Sequence, residues 1–133
     1  MKRAVLDSWA LMAFFKNEPA AAQVEERLAH AAESGVHLAL CLVNWGEVVY
    51  QFERAGGQSV AESVIADMNN LPIELVIADQ ALTRIAASFK ARGGLSCADC
   101  FAAAWAKERK AELLTGDAEF RALEKDIKIA WLT

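Results

Sequence analysis

The stretch Arg3-Ala4-Val5-Leu6-Asp7, followed by Ser8-Trp9-Ala10-Leu11, decides the fold. Three apolar residues run straight into one acid. A short, unbroken apolar run suits a strand buried on both faces, as in the middle of a parallel sheet. In open α/β sheets, ligands sit beyond the carboxyl ends of such strands, and Asp7 falls at that end. The expectation is that acids from later in the chain reach the same rim and share a divalent metal with Asp7.

Working outward, the pattern alternates between short apolar runs and helical periodicity. Trp9 to Phe15 reads as a short helix broken by Lys16-Asn17-Glu18, and Pro19 can open the next helix, which is Ala-rich over residues 20–33. Residues 37–42 form a second apolar run, and Asn44 caps a helix reaching about Arg54. Residues 59–68 form a further helix. Residues 72–77 read as a third strand, 79–92 as an amphipathic helix, and Ser96 starts another helix running to about Lys110. Residues 112–115 are a fourth strand, 117–123 a short helix, and 128–131 a fifth strand. Strands separated by helices imply βαβ units with right-handed crossovers. The expected architecture is a three-layer α/β/α sandwich, with a mostly parallel sheet of about five strands, in a single domain spanning residues 1–133.

Composition narrows the class. Hydrophobic residues make up 55% of 133, including four Trp and six Phe, enough for a globular core. No apolar run approaches the roughly 20 residues that span a bilayer. The apolar run after Met1-Lys2-Arg3 is too short for a signal-peptide core, so the expectation is a cytoplasmic protein. The net charge of −4 argues against broad electrostatic binding to nucleic acid. It leaves room for a nucleic-acid enzyme whose positive charge comes from a metal. Three cysteines, an odd number, argue against a disulfide framework. The Cys97-x-x-Cys100 pair has no histidine at ligand spacing and reads as buried apolar cysteine.

Four acids stand at strand ends or in first helical turns: Asp7, Glu47, Asp99 and Asp117. Each has a structural reading. Asn44-Trp45-Gly46-Glu47 and Ser96-Cys97-Ala98-Asp99 both fit a capping box, Asp117 fits a plain N-cap, and Asp7 suits a helix dipole. Topology adds a second reading. Clustered carboxylates repel one another, and a hard cation such as Mg²⁺ or Mn²⁺ relieves that conflict through oxygen ligands. An acidic rim holding such an ion suits hydrolysis of a phosphodiester by metal-activated water. Glu119 reads as charge support for its helical turn and Asp79 as a cap. The basic residues Lys90, Arg92, Lys107, Arg109 and Lys110 read as solvated helix surface, and Trp45 and Trp105 as core or interface.

Four blocks occur in order: Leu6-Asp7-Ser8, Val43-Asn44-Trp45-Gly46-Glu47-Val48, Leu95-Ser96-Cys97-Ala98-Asp99, and Leu114-Thr115-Gly116-Asp117-Ala118-Glu119-Phe120. Together they resemble the PIN-domain ribonucleases, and among them the VapC-type toxins of bacterial toxin–antitoxin pairs. The resemblance covers the whole chain. It implies a PIN fold and a Mg²⁺- or Mn²⁺-dependent endoribonuclease. It implies Asp7 and Asp99 as principal metal ligands, Asp117 completing the site, and Glu47 across it binding a second metal or orienting water. Ser8 and Thr115 would be supporting hydroxyls. It also implies an RNA substrate, a VapB-type antitoxin and a homodimer. Trp9 departs from the small residue that many relatives carry there. A non-catalytic PIN-fold interaction module is the alternative. A phosphotransfer domain fits less well, because Asp7 lacks the acidic neighbour such sites require.

Overall fold

A computed structural model describes residues 3–133. Five strands form one sheet: β1 (Ala4–Leu6), β2 (Leu38–Cys41), β3 (Ile73–Val76), β4 (Glu112–Thr115) and β5 (Lys128–Trp131). Their order across the sheet is β3-β2-β1-β4-β5, and every pairing is parallel. The opening strand is therefore the central one. Leu6 lies opposite Leu40 on one side and Leu114 on the other. Val5 and Leu6 have no exposed surface. This is the environment that an uninterrupted apolar run predicts, since both faces of a parallel sheet are covered.

Six helices supply the cover: α1 (Ser8–Phe15), α2 (Ala21–Ser34), α3 (Leu42–Gly56), α4 (Gln58–Asn69), α5 (Gln80–Arg92) and α6 (Cys97–Arg109). A 3₁₀ turn over Ala118–Leu123 precedes β5. The period-two alternation of strand side chains divides the core. Val5, Ala39, Cys41 and Leu113 pack against α5, α6 and the 3₁₀ turn through Phe89, Trp105 and Phe120. Ala4, Leu6, Leu38, Leu40 and Leu114 face the other way, against Leu11, Val24, Leu28, Val48 and Val64 of α1 to α4. Arg27 of α2 pairs with Glu112 at the entry of β4, tying the outer layer to the sheet.

Two boundaries differ from the sequence reading. Leu42 belongs to α3, not to β2, and Asn44 does not cap that helix. The chain passes from strand to helix at Cys41 (φ −67°, ψ 140°), which makes no side-chain cap. Asn44 thus lies inside the first turn, wholly buried, and the capping box assigned to Asn44 and Glu47 does not form. Of the cysteines, Cys41 and Cys100 are buried as expected, while Cys97 is exposed, and all three are free. No helix among the described residues is long and apolar enough to cross a membrane.

Because all strands point the same way, Asp7, Leu42, Ile77, Gly116 and Leu132 leave the sheet at one edge. α6, at 13 residues, is about 20 Å long. It delivers the chain to β4 at the opposite edge, so its own N-terminus stands at the edge where Asp7 lies. Truncating Leu6 to Ala in this fully buried strand should lower unfolding free energy by about 3 kcal/mol in urea denaturation. The same change at Leu75, which is 45% exposed on the edge strand, should cost about 1 kcal/mol or less.

Candidate metal centre

Asp7 has no exposed surface, and its two oxygens have separate jobs. One accepts from the backbone N–H of Ala10 at 2.8 Å, which makes Asp7 the N-cap of α1. The other accepts from the Thr115 hydroxyl at 2.5 Å. The Thr115 oxygen in turn accepts the backbone N–H of Asp117 at 3.0 Å. A single buried hydroxyl therefore fixes the acid after β1 to the loop after β4. Ser8, next to Asp7, is held from a third direction: Asn44 Nδ2 donates to Ser8 Oγ at 3.1 Å across 36 residues. The amide that leaves the helix terminus uncapped is used here.

Asp99 lies in the first turn of α6, whose N-cap Ser96 accepts from the Asp99 N–H at 3.2 Å. Asp117 caps the 3₁₀ turn, accepting from Glu119 N–H at 3.0 Å. The carboxylates of Asp99, Asp117 and Glu119 offer oxygens that all lie within 4.8 Å of one another. They line a cavity of about 370 Å³ together with Glu47 and Glu18. Glu47, in the second turn of α3, is half-buried and accepts from the Tyr50 hydroxyl at 3.4 Å. Asp7 lies behind this wall and does not line the cavity. Glu119, read from sequence as charge support for its turn, joins the cluster. The signal was its place two residues after Asp117, an extended N-cap whose carboxylate accepts the Glu119 N–H. Asp79 caps α5 as expected.

Burial, with crowding of the acids second to it, shifts the proton affinities. Burial, reduced by the Thr115 and Ala10 hydrogen bonds and added to by the charges of Asp99 and Asp117, pushes the Asp7 carboxyl up to about 8. Burial first, then Asp117, raises Asp99 to about 6. The donor set is all carboxylate oxygen, the chemistry that a hard divalent ion prefers and that zinc or copper sites seldom use alone. The residues present fit such an ion.

The cavity is also lined by Trp9, which the sequence marked as a departure, and by Met12, Lys16 and Gln51, which the sequence reading did not assign to it. Trp9 packs on Gly116. A Cβ built there would lie 2.2, 2.5 and 2.6 Å from Cη2, Cζ3 and Cζ2 of the indole. Near-equal distances to the tip atom and both its neighbours put that carbon over the ring face, not at its edge. The basic residues near the helix ends have structural partners instead. Arg3 and Arg109 stack on Trp105, Lys107 stands over Phe89, Lys90 donates to the Leu95 carbonyl, and Arg92 pairs with Asp126. Lys107, Arg109 and Lys110 lie at the far end of α6 from the acids. Trp105 is core, 2% exposed.

The PIN domain family model matches residues 4–126. No curated protein sequence matches the chain. Solved structures share the fold at low identity. A DNA-bound VapBC from Salmonella typhimurium is 15% identical, with a TM-score of 0.76, over 98% of each chain. VapBC2 from Rickettsia felis, bound to a promoter DNA fragment, is 13% identical with the same TM-score and coverage. A toxin–antitoxin complex from Klebsiella pneumoniae is 16% identical, with a TM-score of 0.66, over 96% of this chain and 95% of that one.

The raised acids set a sign for pH dependence. Below the unfolded value near 3.8, both states keep their protons. As pH climbs toward 8 the unfolded chain ionises freely and the folded site does not, so stability falls across that window. The metal-free protein should therefore melt at lower temperature at pH 8 than at pH 4. Asp7→Asn should flatten the dependence, melting about 5 °C above the unsubstituted protein at pH 8 with little difference at pH 4. Calorimetry in the presence of a chelator measures both.

Proposed function

The chain belongs to the PIN domain family, and on that premise we propose that it is a Mg²⁺- or Mn²⁺-dependent endoribonuclease serving as the toxin of a toxin–antitoxin pair. The observation that carries the reading is the convergence of Asp99, Asp117 and Glu119 within 4.8 Å of one another, with Asp7 directly behind them. Asp7, Asp99, Asp117 and Glu47 are the proposed site, with Glu119 added to them. Ser8 and Thr115 are the proposed supporting hydroxyls.

When bound, a divalent ion polarises a phosphoryl oxygen, lowers the pKa of a coordinated water and offsets charge on the leaving oxygen. The residues of the chain do the rest. Asp99, Asp117 and Glu119 supply oxygens from two elements that meet only in the fold. Thr115 holds Asp7 and the Asp117 loop at a fixed separation, so the carboxylates need not reorganise when the ion arrives. Glu47 approaches from α3 on the cavity wall, where its carboxylate can accept a proton from an attacking water. Ser8, held to Asn44 by hydrogen bonds in both directions, lines the same cavity. The acids ionise more readily once a cation faces them, so binding releases protons and strengthens as pH rises.

The neighbours in fold include structures described as a toxin–antitoxin complex and as VapBC bound to DNA. This supports a VapB-type antitoxin as partner; a homodimer as the working form and a cytoplasmic setting complete the proposal. One observation favours the second reading, a non-catalytic module: Asp7 and Asp117 each cap a helix. Asp79 shows what a cap alone looks like, however. It stands at the same edge and joins no cluster.

Incubation of the purified chain with single-stranded RNA should give cleavage in Mn²⁺ and none after chelation. Asp99→Asn should lower the rate on the order of 100-fold or more while leaving the melting temperature unchanged or higher. Glu119→Gln should lower it about tenfold. A chain that cleaves equally well in chelator, or an Asp99→Asn variant as active as the parent, would overturn the assignment.

A further inference from the structure

Trp9, Met12 and Lys16 follow one another at i, i+3 and i+7, so they share one face of α1. All three line the cavity that holds the carboxylates. The face differs in character from the rest of that wall. Among the cavity's residues Lys16 is the one cation, against Glu18, Glu47, Asp99, Asp117 and Glu119. It nevertheless makes no ion pair among the described residues. The indole of Trp9 is fixed from behind, because Gly116 packs against one face of its six-membered ring. The ring stays partly exposed and lines the cavity. Any larger residue at 116 would drive into the ring, so the glycine and the tryptophan are matched.

An aromatic ring and an ammonium that line one cavity, the ammonium in no ion pair among the described residues, together suit one nucleotide of a single strand. The base stacks on the ring, at a strength indifferent to its identity, and the phosphate meets the cation. We propose that this face of α1 binds the nucleotide flanking the scissile phosphate, with its base on Trp9 and its phosphate on Lys16. The site would then take single-stranded RNA in preference to duplex, whose bases are already stacked. The inference rests on the nuclease reading and adds a substrate form to it. It also places RNA contact on α1, at the one cation among the residues that line the cavity.

The test is equilibrium binding of a short fluorescein-labelled oligoribonucleotide of mixed sequence, in the Asp99→Asn background so that no turnover intervenes. Trp9→Leu should weaken binding about tenfold, and Trp9→Phe should recover most of the loss. Lys16→Gln should reduce the slope of log Kd against log salt by about 0.7, the share of one phosphate contact on a single strand, and Lys16→Arg should restore it. Should Trp9→Leu not fold, an abasic nucleotide moved along the RNA replaces it. One position should weaken binding of the Asp99→Asn protein about tenfold. Binding within twofold for Trp9→Leu, a salt slope unmoved by Lys16→Gln, or indifference to every abasic position overturns the proposal. If the unsubstituted chain still cleaves RNA in those cases, only this inference falls. If it neither cleaves nor binds RNA, the nuclease reading falls with it.

Discussion

The Thr115 hydroxyl is the point on which the site depends. It donates to Asp7 and accepts from the Asp117 backbone, joining the ends of two adjacent strands through one buried atom. Around it the fold places more negative charge than a protein interior tolerates unaided. Asp7 is held near neutrality by burial, and Asp99 is partly so. Two things relieve the crowding of the buried acids: protons on the carboxyls, or a divalent cation among them. The parallel sheet makes the crowding unavoidable, because strands that run the same way release their following residues at the same edge.

That constraint orders the rest of the molecule. The strand carrying Asp7 must be central so that later strands can flank it, and its apolar residues must be buried on both faces. α6 must start at the acidic edge and finish at the other, which sets its length and places its basic end far from the acids. The cations at that end brace Trp105 and Phe89. The site is left with one lysine of its own, on α1.

Much of this was legible in the sequence. The run Ala4-Val5-Leu6 announced a central strand because nothing polar interrupts it, and β4 and β5 fell at the expected residues. The acids were legible as a group because strand-then-helix order sends them to a common rim. The errors have local causes. Asn44 has the chemistry of an N-cap, but its amide is engaged by Ser8, a residue 36 positions away. No short-range pattern carries that information. Glu119 was undervalued because its closeness to Asp99, 20 residues away on α6, is set by the fold and not by local spacing. Trp9 stood out only as a departure, and Lys16 only as part of a helix break, because their meaning depends on what stands opposite, Gly116 in one case and five carboxylates in the other.

The central claim is that carboxylates distant in sequence meet to hold one kind of ion. Anomalous diffraction from crystals grown with Mn²⁺ tests it directly. A strong anomalous peak is expected, bounded by oxygens of Asp99, Asp117 and Glu119, on the cavity side of Asp7. A map with no peak there at saturating Mn²⁺, and with those carboxylates turned away from one another, would contradict it.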